Sequence, residues 1–259
     1  MKLEVRDLGF HYPKQERMIF SDVSFGIDKG EVISILGTNG AGKSTLLNCM
    51  ANLYRPIRGE ILIDGRNLRD MRSKEVAKYI GYVPQVHNPA YAYSVLDFVV
   101  MGRTPYIGMF QTPKEGDYSA AEEALRCIGI THLIDKPYTE ISGGDRQMVT
   151  IARVLAQQPD VILLDEPTAH LDYGNQIRMT RLVRKLADSG YAVILTTHMP
   201  DHVIMLQDKV GILDHDGRFT FGKAEDILSD SLLSNLYSVD LKLVYIDEAK
   251  RDTCVPFAY

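Results

Sequence analysis

Gly37-Thr38-Asn39-Gly40-Ala41-Gly42-Lys43-Ser44 is the stretch that decides how this chain is read. An apolar run, Val32-Ile33-Ser34-Ile35-Leu36, precedes it, and Thr45-Leu46-Leu47 follows, which gives a buried strand, a glycine-rich loop and a helix in that order. The octet has the spacing G-x-x-x-x-G-K-[ST]. Its glycines let backbone N–H groups close round a phosphate, and the helix start adds partial positive charge. Lys43 can then reach the β and γ oxygens of a nucleoside triphosphate, while the Ser44 hydroxyl ligates Mg²⁺. The alternative is an ordinary glycine-rich turn, which the flanking strand and helix disfavour.

Working outward, the N-terminal side alternates around Leu3, Val5, Leu8 and Phe10, then Phe20, Val23, Phe25 and Ile27, as half-buried antiparallel strands do. Glu60–Ile63 and Tyr79–Val83 follow as short strands. From there to about residue 158 the pattern turns helical. Ser94-x-x-Asp97 predicts a capped helix carrying Val95, Phe98, Val99 and Met101. Ala121, Ala124, Leu125 and Ile128 stand at i, i+3, i+4, i+7, and a third helix after Gly143-Gly144 presents Met148, Ile151, Ala152 and Leu155 on one face. Strands return at Val161–Leu164, Ala192–Thr196 and Val210–Leu213, with a helix between the first two built on Met179, Leu182, Val183 and Leu186. Asp214-His215-Asp216-Gly217 reads as a hairpin turn, Ala224–Leu236 as a helix, and the remainder as a strand-like tail. The whole predicts a single α/β domain: a mostly parallel sheet with an N-terminal antiparallel β layer and a helical insertion. Its core is residues 1–86 and 159–221, the insertion 87–158, and the C-terminal helix and tail 222–259.

The 259 residues are 45% hydrophobic and 24% charged, enough for one sizeable core. No biased segment suggests disorder, and the apolar runs are too short for a membrane span of about 20 residues. The start, Met1-Lys2-Leu3-Glu4-Val5-Arg6-Asp7, has no apolar h-region, so the expectation is a chain kept in the cytosol. Cys49, Cys127 and Cys254 are scattered and fit reduced, incidental thiols. A net charge of −5 supplies no basic stripe, so nucleic acid is not an expected partner.

Two further segments carry chemistry. Val161-Ile162-Leu163-Leu164-Asp165-Glu166-Pro167 ends an apolar strand in two carboxylates, at the edge of a parallel sheet where ligands bind. Asp165 suits a Mg²⁺ shell and Glu166 the base that polarises water; alone, one such Asp could equally be a helix cap. Ile141-Ser142-Gly143-Gly144-Asp145-Arg146-Gln147 opens a helix with a hydroxyl and two glycines, a second place where N–H groups and the helix dipole favour an anion. This segment resembles the LSGGQ signature of the ATP-binding-cassette ATPases, with Ile for Leu and Asp145 for the final Gln. The resemblance spans nearly the whole chain. It implies a P-loop NTPase core and Mg²⁺-dependent ATP hydrolysis, with ATP and Mg²⁺ as cofactors, and it implies residue roles.

Gly37, Thr38, Asn39, Gly40, Ala41, Gly42, Lys43, Ser44 and Thr45 would bind the phosphates, and Tyr12 would stack on adenine, its alternative being a plain β-sheet tyrosine. Gln85 looks like the glutamine linking Mg²⁺ and the lytic water to the insertion. Ala169-His170-Leu171-Asp172 resembles the D-loop. Ser44, Gln85 and Asp165 would hold the metal, and Lys43, Gln85, Glu166 and His198, the last resembling the switch histidine, would act in catalysis. His198 and His202 are four apart, but Pro200 between them and the lack of an H-E-x-x-H glutamate make zinc a poor reading. His87, His132 and His215 read as surface residues.

In the family, the signature serves another chain's P-loop. Ser142, Gly143 and Gly144 would therefore close a second subunit's site in a head-to-tail homodimer. The run Tyr93-Ser94-Val95-Leu96-Asp97-Phe98-Val99-Val100-Met101-Gly102-Arg103-Thr104-Pro105-Tyr106 resembles importer ATPases for iron-siderophore, haem and cobalamin uptake, and also those for molybdate and tungstate. That resemblance implies an integral membrane permease as partner, an extracytoplasmic substrate-binding protein acting indirectly, and a place on the cytoplasmic face of the membrane. A soluble cassette ATPase for cofactor assembly is the competing reading. Residues from about Gln85 to Tyr106, including the uncharged His87-Asn88-Pro89-Ala90-Tyr91-Ala92-Tyr93, are the expected docking surface; the alternative packs Tyr91 and Tyr93 inside the insertion.

Overall fold

The computed structural model describes residues 1–13, 17–85 and 91–257. The apolar run before the glycine-rich loop forms β3 (Val32–Leu36), buried at all five positions, in the middle of a six-stranded sheet. Parallel neighbours flank it: β8 (Ala192–Thr197) on one side and β9 (Lys209–Leu213) on the other. Beyond β8 lie β7 (Val161–Leu164) and β6 (Ile80–Val83), both parallel, and β10 (Phe219–Lys223) closes the far edge as an antiparallel hairpin partner of β9. Side chains alternate across a sheet that is covered on both faces. Ile33, Ile35, Leu163 and Ile194 face one cluster, and Ile162, Leu164, Val193 and Leu195 face another.

The first cluster joins the sheet to the predicted antiparallel layer, in which β1 (Leu3–Phe10) pairs with both β2 (Phe20–Ile27) and β4 (Arg58–Ile63), the latter extended by β5 (Arg66–Asn67). Helix α1 (Lys43–Met50) adds Leu46, Leu47, Cys49 and Met50 to that cluster, and burial pushes the Cys49 thiol up to about 12. Between β5 and β6 runs α2 (Ser73–Tyr79), which the sequence pattern does not show; Val76 alone is buried in it, so no apolar stripe marks it. Its last residue is Tyr79, so β6 starts one residue later than the strand predicted there.

The helical insertion is α3 (Val95–Val100), α4 (Glu115–Ile128) and α5 (Gly143–Ala156). Ser94 caps α3 as predicted, its hydroxyl accepting from the Asp97 N–H. On α5 the buried face is wider than the predicted one, taking in Val149, Thr150 and Val154, while Met148 is half-buried. The helix is covered from two sides, by α3 and α4 and by β6, so a single apolar stripe underestimates it.

After β7, α6 (Tyr173–Asp188) buries Met179, Leu182, Val183 and Leu186, as read, and α7 (Pro200–Leu206) follows β8. The C-terminal part corrects the sequence reading. The core sheet continues to Lys223, past the expected boundary at 221. The helix expected over Ala224–Leu236 is two, α8 (Ala224–Ile227) and α9 (Asp230–Tyr237), because Leu228 is extended and Ser229 starts a new helix by accepting from the Leu232 N–H. The tail is an antiparallel hairpin, β11 (Leu241–Ile246) with β12 (Arg251–Pro256). Its inner residues join α7, α9 and Leu36, at the end of β3, in a third apolar cluster. Among the described residues, no helix is long and apolar enough to cross a membrane.

Gly102, just after α3, sits against the α5 backbone: a Cβ there would run into the Arg153 carbonyl oxygen, an atom that cannot swing aside. Gly102→Ala is therefore expected to destabilise the fold by about 1–3 kcal/mol. A lowered urea midpoint at unchanged m-value would show it; an unaltered midpoint would mean that α3 and α5 are free to separate.

Candidate functional site

Three elements meet at the carboxyl edge of the parallel sheet: the loop between β3 and α1, the end of β7, and the end of β8. The loop is tight. A Cβ at Gly37 would lie 2.5 Å from the Leu213 carbonyl oxygen, and Gly42 has φ +102°, so both positions need glycine. Asn39 and Gly40 are exposed at the tip, and Ala41 is buried beneath it. The ring of His215, on the β9–β10 turn, is exposed as expected yet stands 3.1 Å from the Thr38 hydroxyl, a contact the sequence did not suggest.

Lys43 is 4% exposed, with its ammonium 2.9 and 3.0 Å from the carbonyl oxygens of Gly37 and Thr38 and 3.1 Å from Glu166 Oε1. The other Glu166 oxygen accepts from Gln85 Nε2 at 3.3 Å and faces His198 Nδ1 at 3.2 Å. A carboxylate can only accept, so in this contact the donor is the Nδ1–H of His198. Glu166 has φ +43°, a left-handed conformation that a non-glycine residue adopts only where its surroundings impose it.

Ser44 donates to Asp165 Oδ1 at 3.0 Å, and the same oxygen accepts from Thr196 Oγ1 at 2.7 Å. The Thr196 hydroxyl in turn accepts from the Glu166 N–H at 2.8 Å, so one side chain orients both acids. Thr196 is a site residue that sequence reading missed; its signal is a hydroxyl at the end of an otherwise apolar strand. Tyr82 also points its phenol at Asp165, 3.4 Å away, and burial together with that negative charge pushes the phenol up. Ser44 and Asp165 offer the oxygen-only donor set that Mg²⁺ takes alongside phosphate oxygens. Buried His202 stands 3.1 Å from the Thr197 hydroxyl, and burial, then His198, lowers its pKa, which favours a neutral ring inside the fold.

Lys43, Ser44, Thr45, Gln85, Glu166 and His198 line one cavity of about 590 Å³, with Tyr12 at its rim. The Tyr12 hydroxyl meets Thr45 Oγ1 at 2.8 Å, and its ring stands edge-on to Phe10 and Tyr54. Ala169 and His170 line the same cavity.

Ser142, Gly143 and Gly144 are not part of it. They open α5, where Ser142 and Gly143 are exposed and Gly144 lies beside Asn175 at the start of α6. The Ser142 hydroxyl accepts from the Asp145 N–H at 3.1 Å and donates to the Asp145 carboxylate at 2.7 Å. Ser142 thus caps the helix through the Asp145 N–H, and the Asp145 carboxylate occupies the proton that the serine would offer an anion.

On the insertion, Tyr91 and Tyr93 are exposed rather than packed inside, while residues 86–90, His87 among them, lie outside the described residues. Val95 is wholly buried, so it belongs to the core of the insertion and not to a docking surface. Met109 and Phe110, both more than 90% exposed, extend the apolar surface past the expected limit at Tyr106.

The profile of the family described as ABC transporter matches residues 20–169. The molybdate import ATP-binding protein MolC of Haemophilus influenzae is 40% identical over 240 residues, 92% of this chain and 89% of that protein. A solved metal-chelate type ABC transporter in an inward-facing conformation superimposes with TM-score 0.88 at 36% identity, covering 99% of this chain and 98% of its own. The ATP-binding cassette MJ0796, solved as a dimer in a post-hydrolysis state with ADP and Pi, gives TM-score 0.73 at 29% identity over 86% of this chain and 98% of its own.

Glu166 is the anionic partner of Lys43 in this structure, so Glu166→Gln, which removes that buried ion pair, is expected to bind ATP several-fold more tightly than the parent. Titration with a fluorescent ATP analogue would measure it, and unchanged binding would show that Glu166 leaves Lys43 at no cost.

Proposed function

The chain belongs to the ABC transporter family, and from that premise we propose that it is the ATP-hydrolysing subunit of a membrane importer, held at the cytoplasmic face of the membrane by an integral permease. The observation that carries this reading is the convergence of Lys43, Ser44, Glu166, Gln85 and His198 on one cavity, with Asp165 hydrogen-bonded to Ser44 behind it.

In this reading the loop from Gly37 to Thr45 wraps the phosphates, Lys43 exchanges Glu166 for the γ-phosphate, and Tyr12 supports the adenine. Ser44 and Asp165, with Gln85, would hold Mg²⁺, which supplies charge neutralisation between the β and γ phosphates. Glu166, freed from Lys43, orients and polarises the attacking water. His198 donates to the γ-phosphate from Nε2, which carries a proton for that contact. Hydrolysis asks mainly for such positioning and charge stabilisation.

The phosphate cavity lacks a signature of its own, and Ser142 and Gly143 face outward. A head-to-tail homodimer supplies each cavity with the partner's signature, and Asp145 must release Ser142 for that contact to form. The insertion, 87–158, moves against the core, 1–86 and 159–221, as Gln85 follows the γ-phosphate. Its exposed aromatic surface, with a cavity of about 560 Å³ lined by Tyr93, Met101, Met109 and Tyr118, receives a short cytoplasmic helix of the permease. An extracytoplasmic binding protein delivers the cargo, which never touches this subunit. We assign that cargo to the metal chelates, iron-siderophore, haem or cobalamin, on the likeness to the metal-chelate type transporter. A second reading, a metal oxyanion, is favoured by the 40% identity to the molybdate import protein. Uptake of labelled chelate against labelled molybdate by cells carrying the complete transporter separates the two.

Glu166→Gln should lower ATP turnover by about 10²–10⁴-fold while trapping an ATP-bound dimer, readable by light scattering. Turnover at the parent rate would remove Glu166 from its role. Tyr91→Glu and Phe110→Glu should abolish co-purification with the permease while leaving ATP binding by the isolated chain intact. Co-purification that survived both would place the interface elsewhere.

A further inference from the structure

Beyond the cavity, the chain after β10 is more than a tail: its side chains reach the segment that carries His198. That segment is the short turn between β8 and α7, residues 198 and 199. The peptide unit that follows His198 is held at both ends. Its N–H, from Met199, donates to the Thr197 hydroxyl at 3.0 Å, and its carbonyl, from His198, accepts from the Tyr237 phenol on α9 at 2.8 Å. A second tie lies one turn further on. Asp201, in the first turn of α7, accepts from the Thr253 hydroxyl at 2.8 Å and from the Cys254 N–H at 3.1 Å, both on β12. Apolar packing backs these ties: Leu233, Leu236 and Leu243 of the appendage share a cluster with Val203 of α7 and with Leu36, the residue before the phosphate loop.

We propose that the C-terminal appendage is a positioning element for the switch histidine, with Tyr237 as its positioning residue acting through the His198 carbonyl and the Asp201–β12 ties holding the turn from the other side. The inference rests on the role given to His198 above. With both hydrogen-bonding groups of one peptide occupied, that peptide plane cannot rotate, and the Cα–Cβ direction of His198 is set with it. Nδ1 is then directed at Glu166 and Nε2 is left for the phosphate, without an entropic search at each turnover. Burial pushes the Tyr237 phenol well above its ordinary value, so the hydroxyl remains a donor across the working pH range. The side chain also sits outside the cavity, so no contact with nucleotide confounds its removal.

Tyr237→Phe keeps the ring and deletes the hydroxyl. In the full chain, kcat for Mg-ATP hydrolysis is expected to fall about fivefold, the worth of one net hydrogen bond, with KM for ATP held within about twofold. Thr253→Val, which slackens Asp201, should move kcat the same way by a smaller factor. The deciding measurement is the double variant: Tyr237→Phe added to His198→Ala should cost nothing further, because the tyrosine acts only through the histidine. Parental kcat in Tyr237→Phe overturns the proposal. So does a Tyr237→Phe loss that multiplies undiminished with that of His198→Ala, since that is the mark of general destabilisation. Parental turnover in His198→Ala itself would instead remove the switch role from the functional reading, and this inference with it. A slow His198→Ala beside a fast Tyr237→Phe removes only the appendage.

Discussion

A single cation kept almost entirely from water governs the catalytic edge. An ammonium at the position of Lys43 is tolerable only if negative or strongly dipolar groups meet it, and here two loop carbonyls and a carboxylate do so. The rest follows from that demand. The carbonyls require a loop folded back on itself, which requires glycine where a Cβ would strike β9. The carboxylate must come from the neighbouring part of the sheet, which brings the end of β7 alongside the loop; and once Glu166 is there, Gln85 and His198 have a shared acceptor to converge on. In the function proposed above, a triphosphate, with more charge than one carboxylate, takes the place of Glu166 as the partner of this lysine.

The sheet makes such convergence possible because its parallel strands all end on the same side. Covering both faces with apolar layers keeps the strands stiff, while their ends carry Asp165, Glu166, Thr196 and Thr197 into a polar rim. The helix-opening signature is carried on a different body, α5, whose buried face looks inward and whose capped end looks out. Geometry alone therefore separates the two halves of the chemistry within one chain.

Much of this was legible in the sequence because the key elements are marked by strong local chemistry. The loop glycines, the strand that ends in two acids, and Ser142 and Ser94 as caps each have a physical cause acting within a few residues. The core strands β3, β7 and β8 announce themselves by nearly continuous apolar runs. What was illegible depended on distant partners. Helix α2 has one buried residue and so no period to read; the split between α8 and α9 turns on Ser229, a polar residue in an otherwise continuous helical pattern. Val95 falls inside the segment expected to dock a partner, yet it packs into the core of the insertion, as its place on the apolar face of α3 requires. Thr196 is marked only by a hydroxyl at the end of an apolar strand, and Tyr237 and the Asp201 ties by nothing local, since each becomes meaningful only when chain segments tens of residues apart meet.

The left-handed backbone at Glu166 sets stability against the site. A side chain there costs roughly 1–2 kcal/mol relative to a residue without one, a sizeable share of the stability of a whole domain. Glycine would relieve that cost and would take away the carboxylate that Lys43, Gln85 and His198 share, so the most stable backbone at this position is one that leaves the buried ammonium without its anion.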